Sequence, residues 1–376
     1  MGQATGLTTH AGAMRALAER WLRVRGEGEQ HGVDGDFVCS PAGLWLALGA
    51  VTAGARGETA GELESLLGLD GADTAAGGVA GAVTDSARAL AGTGQLGVAT
   101  RVWSRTPVYR AYREALPDIG FGHMDPAEID AWVREATGGL IEKLPVEIDR
   151  NSLLALVNVL ALKARWAKPF EGRATSDRPF TDATGSVSLV PTMHQHLGAR
   201  SGWTVDGTQV VELCCEGGES AVRVRFVLGE EGARAADVLA AGWAPEERRA
   251  PIDTEIIAVA LPRLELRTTM EITPQLAALG VRYATSDQAD FSALSPEPLK
   301  IEKVVQEAVV KVAELGVEAA AVTVIVMRAA GMARPRRVVP IAFDRPFGVV
   351  VLDGTGEVPL FTAWQASAPR GPVVEE

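Results

Sequence analysis

Few side chains in this sequence could do chemistry. The 376 residues include five histidines and three cysteines. Only His194 and His196, flanking Gln195, could set two imidazoles on one strand face. No acidic or histidine partner near them completes the three- or four-ligand shell that a zinc ion needs, so they read as solvated polar residues. Cys39, Cys214 and Cys215 make no C-x-x-C pair, and an odd, sparse set is no disulfide framework. The adjacent Cys214 and Cys215 read as two buried or half-buried thiols on a strand rather than as a strained bridge. Residues 49–61 are glycine-rich but lack G-K-[ST] and lie between helices, so they cradle no phosphate. No serine sits in a G-x-S-x-G elbow. A triad assembled from distant residues would leave no local mark, and nothing points to one. The expectation is a protein that is not an enzyme and uses neither metal nor cofactor.

Composition narrows the partners. With 47% hydrophobic and 22% charged residues the chain is globular rather than disordered. Its net charge of −12 argues against nucleic acid or an anionic membrane surface, both of which favour a basic face. No apolar run reaches the roughly 18–20 residues of a membrane-spanning helix. The N-terminus shows no secretory core; Met14, Leu17, Ala18, Trp21 and Leu22 instead follow the i, i+3, i+4, i+7, i+8 stripe of an amphipathic helix. A cytoplasmic location is expected, with secretion after loss of a leader left open.

The elements that must position any site are mixed in type. Ser40-Pro41 opens a helix, serine as cap and proline in the first turn. A second runs over about 59–67 to Gly68, residues 75–90 are weakly helical, and Thr273-Pro274 caps another that Gly280 closes. Residues 95–103, 153–162, 221–228 and 256–261 read as strands. Within 221–228, Arg223 and Arg225 share one side, and Val222, Val224 and Phe226 the other. Two C-terminal strands, 348–352 and 358–364, flank the turn Asp353-Gly354-Thr355-Gly356. Strands of different character interleaved with helix clusters imply an α+β fold, and no linker or repeat divides the chain. One domain, 1–376, is the reading.

The informative stretch is KVVQEAVVKVAELGVEAAAVTVIVMRAAGMARPRRVVPIAFDRPF, residues 303–347. It opens as an apolar strand over 309–312, broken by Lys311. It then passes Glu314 and Gly316 into Ala319-Ala320-Ala321 and the β-forming run 322–326. Glycine, proline and arginines then signal a loop up to Val338. Locally this is a core strand, a turn and another strand.

The order of features, however, resembles one family. Glu314-x-Gly316-x-Glu318-Ala319-Ala320-Ala321 resembles the hinge of the serpin reactive loop, and IAFDRPFGVVV (341–351) resembles the serpin C-terminal signature. FVCSPAGLWLAL (37–48) with the following GARGET is similar to the family's second helix and its exit. Residues 137–141 and LVNVLALKARWAKPF (156–170) are similar to a crossing-helix end and the central strand. LPRLEL (261–266) and DFSALS (290–295) also fall in family order. The resemblance covers about residues 10–368, and the order of these motifs makes it specific. It suggests an inhibitory member of prokaryotic type.

That resemblance implies a large central mixed β-sheet, two further sheets, about eight or nine helices, and an exposed reactive loop at approximately 314–342. It implies a monomer that inhibits a target serine protease as a suicide substrate: the loop is cleaved, inserts as a new strand, and the protease is trapped covalently. A non-inhibitory serpin, chaperone or carrier, is the alternative. If Val317 enters the sheet first, Ala319, Ala321, Thr323, Ile325 and Met327 follow inward and Glu318 faces solvent. The family's spacing from the hinge glutamate sets the scissile bond at Ala330–Gly331, suited to an elastase-like or subtilisin-like protease. Cleavage at Arg328–Ala329 would instead suit a trypsin-like one. Ser40 and Asn158 match family residues that control sheet opening, and Trp166 matches the tryptophan at the sheet's upper end. Gly43 replaces a usual serine, Gln306 a usual histidine and Gly348 a usual large apolar residue. Gln306 can donate and accept, but it does not titrate. The nearly uncharged Ala/Gly-rich segment makes heparin-like activation unexpected.

Overall fold

The computed structural model describes residues 5–28, 35–72, 77–92, 96–139, 141–143, 153–162, 164–218, 221–317 and 337–371. The apolar stripe of the N-terminal helix Thr5–Gly28 is its buried face: Met14, Leu17, Ala18, Trp21 and Leu22 all enter the core. Helix Pro41–Thr52 starts where the cap predicts, with Ser40 Oγ accepting from Gly43 N. Every residue of that helix is buried, as befits a segment apolar on all sides. Helix Gly57–Leu67 ends on Gly68 in the left-handed conformation, and Gly78–Ala91 follows. Thr273 is no cap. Its helix, Thr273–Leu276, is a single turn without a side-chain cap bond, and the Thr273 hydroxyl instead accepts from Val304 N.

Eight α-helices and three β-sheets make up the described residues, an α+β architecture. The main sheet is mixed. Gly120–His123 runs parallel to Leu96–Ser104, which is antiparallel to Leu154–Leu162. Leu154–Leu162 pairs in parallel with Val305–Ala313, and Leu264–Glu271 closes the far side antiparallel. The second sheet has seven strands and contains the predicted C-terminal hairpin, Phe347–Leu352 and Pro359–Gln365. The third has four, with Val338–Ala342 lying parallel to Ile256–Pro262. Gly348 is explained by its neighbours: a Cβ there would fall 2.5 Å from both Leu239 and Val227.

The main sheet is covered on both faces, which is what its apolar strands anticipate. On one face Ala308, Val310 and Val312 join the large core beneath Pro41–Thr52. On the other, Val157, Val159 and Val309 pack under Ile129 and Val133 of helix Pro126–Ala136. Alternation reads differently in strand Arg223–Leu228. Its side bearing Arg223 and Arg225 is not a solvated face, because Arg225 is buried, ion-paired to Glu212 at 2.8 Å and bonded to Gly242 O.

Candidate functional site

The candidate site is the seam between Leu154–Leu162 and Val305–Ala313. Residues 157–161 and 305–309 pair directly, in parallel register. Above them the two strands part, and the hinge stands between them. Gly316–Val317 folds back antiparallel on Val312 and Ala313 and pairs on its other side with Ala164 and Arg165. The fit excludes a side chain at Gly316, whose Cβ would lie 2.1 Å from Ala164 O. Val317 is buried on the core side. The stretch read as loop, approximately 314–342, thus has strand at both ends, here and at Val338–Ala342. Glu318, Ala319, Ala320, Ala321 and both scissile-bond candidates, Ala330–Gly331 and Arg328–Ala329, lie outside the described residues.

A polar cluster fastens the upper end of the seam. Arg263 donates to both carboxylate oxygens of Glu314, at 2.9 and 3.0 Å from Nε and 2.6 Å from Nη2. Thr175 Oγ1 adds a bond of 2.6 Å. Burial opposes ionisation of Glu314, but the hydrogen bonds from Arg263 and Thr175 prevail and hold its carboxyl below the usual glutamate range. Trp166 closes the turn. Its Nε1 donates to Ala313 O and its backbone N to Leu315 O, both at 2.9 Å, and its ring meets Phe226 edge-on. Trp166 is therefore both a packing residue and a hydrogen-bonding strut. Arg263 and Thr175 were not singled out by the sequence. The one available signal was the arginine inside LPRLEL.

Lower down, the fastening is uncharged. Gln306 Oε1 accepts from Ser40 N at 2.7 Å, and its Nε2 donates to Ser40 O at 2.9 Å. Ser40 Oγ donates in turn to Leu360 O, so the serine that caps the helix also ties it to the second sheet. Asn158 stands opposite Gln306 in the strand register but turns away from it, its Nδ2 donating to Thr100 Oγ1 at 2.8 Å. The structure thus joins Ser40 to Gln306, sets Asn158 beside them without a bond, and keeps Trp166 at the other end. Next along the strand, Glu307 is buried with Arg267 3.5 Å away and its Oε2 without a partner. Burial raises its pKa above the ordinary value.

The remaining sequence candidates sit elsewhere. His194 and His196 share a face of strand Val187–Gly198, opposite Ala260 and Ala258. Among the described residues no group of three or more His, Cys, Asp or Glu could hold a metal ion. No described helix is long and apolar enough to cross a membrane. All three cysteines are free thiols; Cys215 is buried as read, but Cys214 is exposed rather than half-buried.

The comparisons agree with this geometry. The family model described as serpin (serine protease inhibitor) matches residues 25–365. A serine proteinase inhibitor of Cavia porcellus is 31% identical over 66% of this chain and 60% of its own length. Leukocyte elastase inhibitor of Bos taurus is 29% identical over 78% of this chain and 84% of its own length. The chain therefore spans under two thirds of the first relative and most of the second. Among solved structures, human thyroxine-binding globulin superposes with a TM-score of 0.79 at 20% identity, over 97% of this chain and 100% of that one. The thermophilic serpin tengpin gives 0.77 at 21%, over 96% and 94%. At those identities the structures speak for the fold alone. With Gly316–Val317 paired into the upper end of the seam and a family match over residues 25–365, this chain belongs to the serpin family.

Proposed function

We propose that this serpin inhibits a serine protease as a suicide substrate. The protease serine attacks the carbonyl carbon of Ala330, the bond to the Gly331 nitrogen breaks, and that nitrogen leaves as a protonated amine. The acyl-enzyme ester stays on Ala330 while the freed segment enters the seam as a strand. The target is elastase-like or subtilisin-like in this reading, trypsin-like if Arg328 carries the bond, and the inhibitor acts as a monomer.

The observation that carries the reading is the hinge register. Val317 already faces Val312, and Gly316 faces Ala313. Extending that ladder one residue at a time would bring Glu318 opposite Lys311, Ala319 opposite Val310, Ala321 opposite Ala308 and Thr323 opposite Gln306. Small side chains thus meet the fully buried Ala308 and Val310, a hydroxyl meets an amide, and opposite charges meet where Lys311 pairs with Glu265. New ladder bonds and buried alternate side chains would favour insertion, by the same strand addition that binds extended peptides to open sheets. Ser40, Asn158, Trp166 and Gln306 would then govern how readily the seam opens.

The test mixes the full chain with elastase-like, subtilisin-like and trypsin-like proteases and follows denaturing gels and mass spectrometry. A covalent band near the summed masses, with release of residues 331–376, is expected. Release of residues 329–376 would move the bond to Arg328. Clean loop cleavage without a covalent band in every mixture would overturn inhibition of these classes. It would favour a non-inhibitory carrier or chaperone, a reading consistent with the fold shared with thyroxine-binding globulin.

A further inference from the structure

Behind the seam lies a cavity of about 50 Å³ that the inhibitory reading does not use. Leu44, Leu48 and Val51 of the buried helix form one wall, Leu154 and Asn158 of the central strand another, and Gln306 closes it. These three walls are apolar except at Asn158 and Gln306, while Lys300, Glu302 and Lys303 also border the space. Asn158 is only 4% exposed, its Nδ2 is committed to Thr100, and its Oδ1 has no hydrogen-bond partner among the described residues. Gln306, opposite it, spends its Oε1 and one Nε2 bond on Ser40, and an amide nitrogen has a second hydrogen to give. A lone acceptor and a spare donor thus border one largely apolar space. Leaving that acceptor desolvated and unpaired is unfavourable, so whatever fills the space gains by donating to it.

We propose that this cavity binds a small aliphatic alcohol, its hydroxyl donating to Asn158 Oδ1 and accepting from Gln306 Nε2, its chain along Leu44, Leu48 and Val51. Size sets the class. A water-sized group takes about 10–15 Å³ by this measure, so the space holds about three to five heavy atoms, the length of propanol or butanol. A hydroxyl suits the spot because it both donates and accepts from one atom. An occupant would touch both strands of the seam and bind the closed sheet in preference to one with a strand inserted.

The probe is 1-butanol, and its control is the isomer 1-methoxypropane, which has the same atoms but no hydrogen to donate. The full chain is titrated with each while the methyl NMR signals of Leu48 and Val51 are followed. Saturable shifts with 1-butanol are expected, with the ether binding about tenfold or more weakly. Asn158→Leu should erase that preference. Should that variant fail to fold, Leu48→Phe, which fills the cavity and keeps Asn158, should abolish saturable binding of both. Equal affinity for the isomers, or linear shifts without saturation, would overturn the site and leave a cavity that takes water only. None of these readouts needs a protease, so they stand apart from the inhibitory reading.

Discussion

The two ends of the seam are fastened by different chemistry. At the upper end an ionised pair, Arg263 and Glu314, is braced by Thr175 and Trp166 around a hinge that already occupies the gap. At the lower end a neutral amide, Gln306, grips both backbone groups of Ser40, and no hinge intervenes. A charged fastening is strong only while both partners are ionised, whereas the amide keeps its grip at any pH. The upper fastening is thus the titratable one, and it lies where Gly316–Val317 folds back.

Removing the strut should do most to break this contrast. Trp166→Ala empties a fully buried site and frees Ala313 O, and urea unfolding should show a loss of about 3–5 kcal/mol. A loss under about 1 kcal/mol would mean that the upper end is held without it.

Arg263→Ala comes next, at about 2–4 kcal/mol near neutral pH, because it leaves Glu314 buried and charged with only Thr175. The acid dependence follows from the lowered carboxyl. Stability from this pair is complete above the ordinary glutamate value of about 4.3 and is lost as pH falls through the lower folded value. Glu314→Gln should therefore be less stable than the parent at pH 7 and converge with it in acid. Parallel curves at all pH values would refute the charged fastening.

Gln306→His sharpens the comparison by making the lower fastening titratable. A buried imidazole must stay neutral to accept from Ser40 N, so stability should fall by about 1–2 kcal/mol as pH drops through about 6.5. The parent should show no such step.

The smallest effect belongs to Glu307, where burial raises the carboxyl. A raised folded value means the charged form is disfavoured, so wild-type stability rises as pH falls through it. Glu307→Gln should gain about 1 kcal/mol at pH 7 and nothing below about pH 4. Thermal unfolding across pH would read both.

Much of this was legible where the signal is local. Ser40-Pro41 marked a helix start, Gly68 its neighbour's stop, and Asp353-Gly354-Thr355-Gly356 a hairpin, because caps and turns are settled by a few adjacent residues. Thr273 misled for the opposite reason: its hydroxyl had a choice of partners, and a distant one, Val304 N, won. The burial of Arg225 was not legible, because alternation assigns sides of a strand but not what covers them. The site divides in the same way. Glu314, Gly316, Ser40, Trp166 and Gln306 could be named by resemblance, yet Arg263 and Thr175 lie 51 and 139 residues from Glu314, and no pattern in the chain joins them.

By itself the sequence determined the strand alternation, the Ser40 cap and the Gly68 stop, since these depend on side-chain size and backbone preference within a few residues. Tertiary structure alone decided that Glu314 is clamped, that Asn158 faces Thr100 instead of Gln306, and that a cavity opens behind the seam. Those outcomes depend on which distant strands come to lie side by side, and hydrogen bonds and close packing reach only a few ångströms once they do.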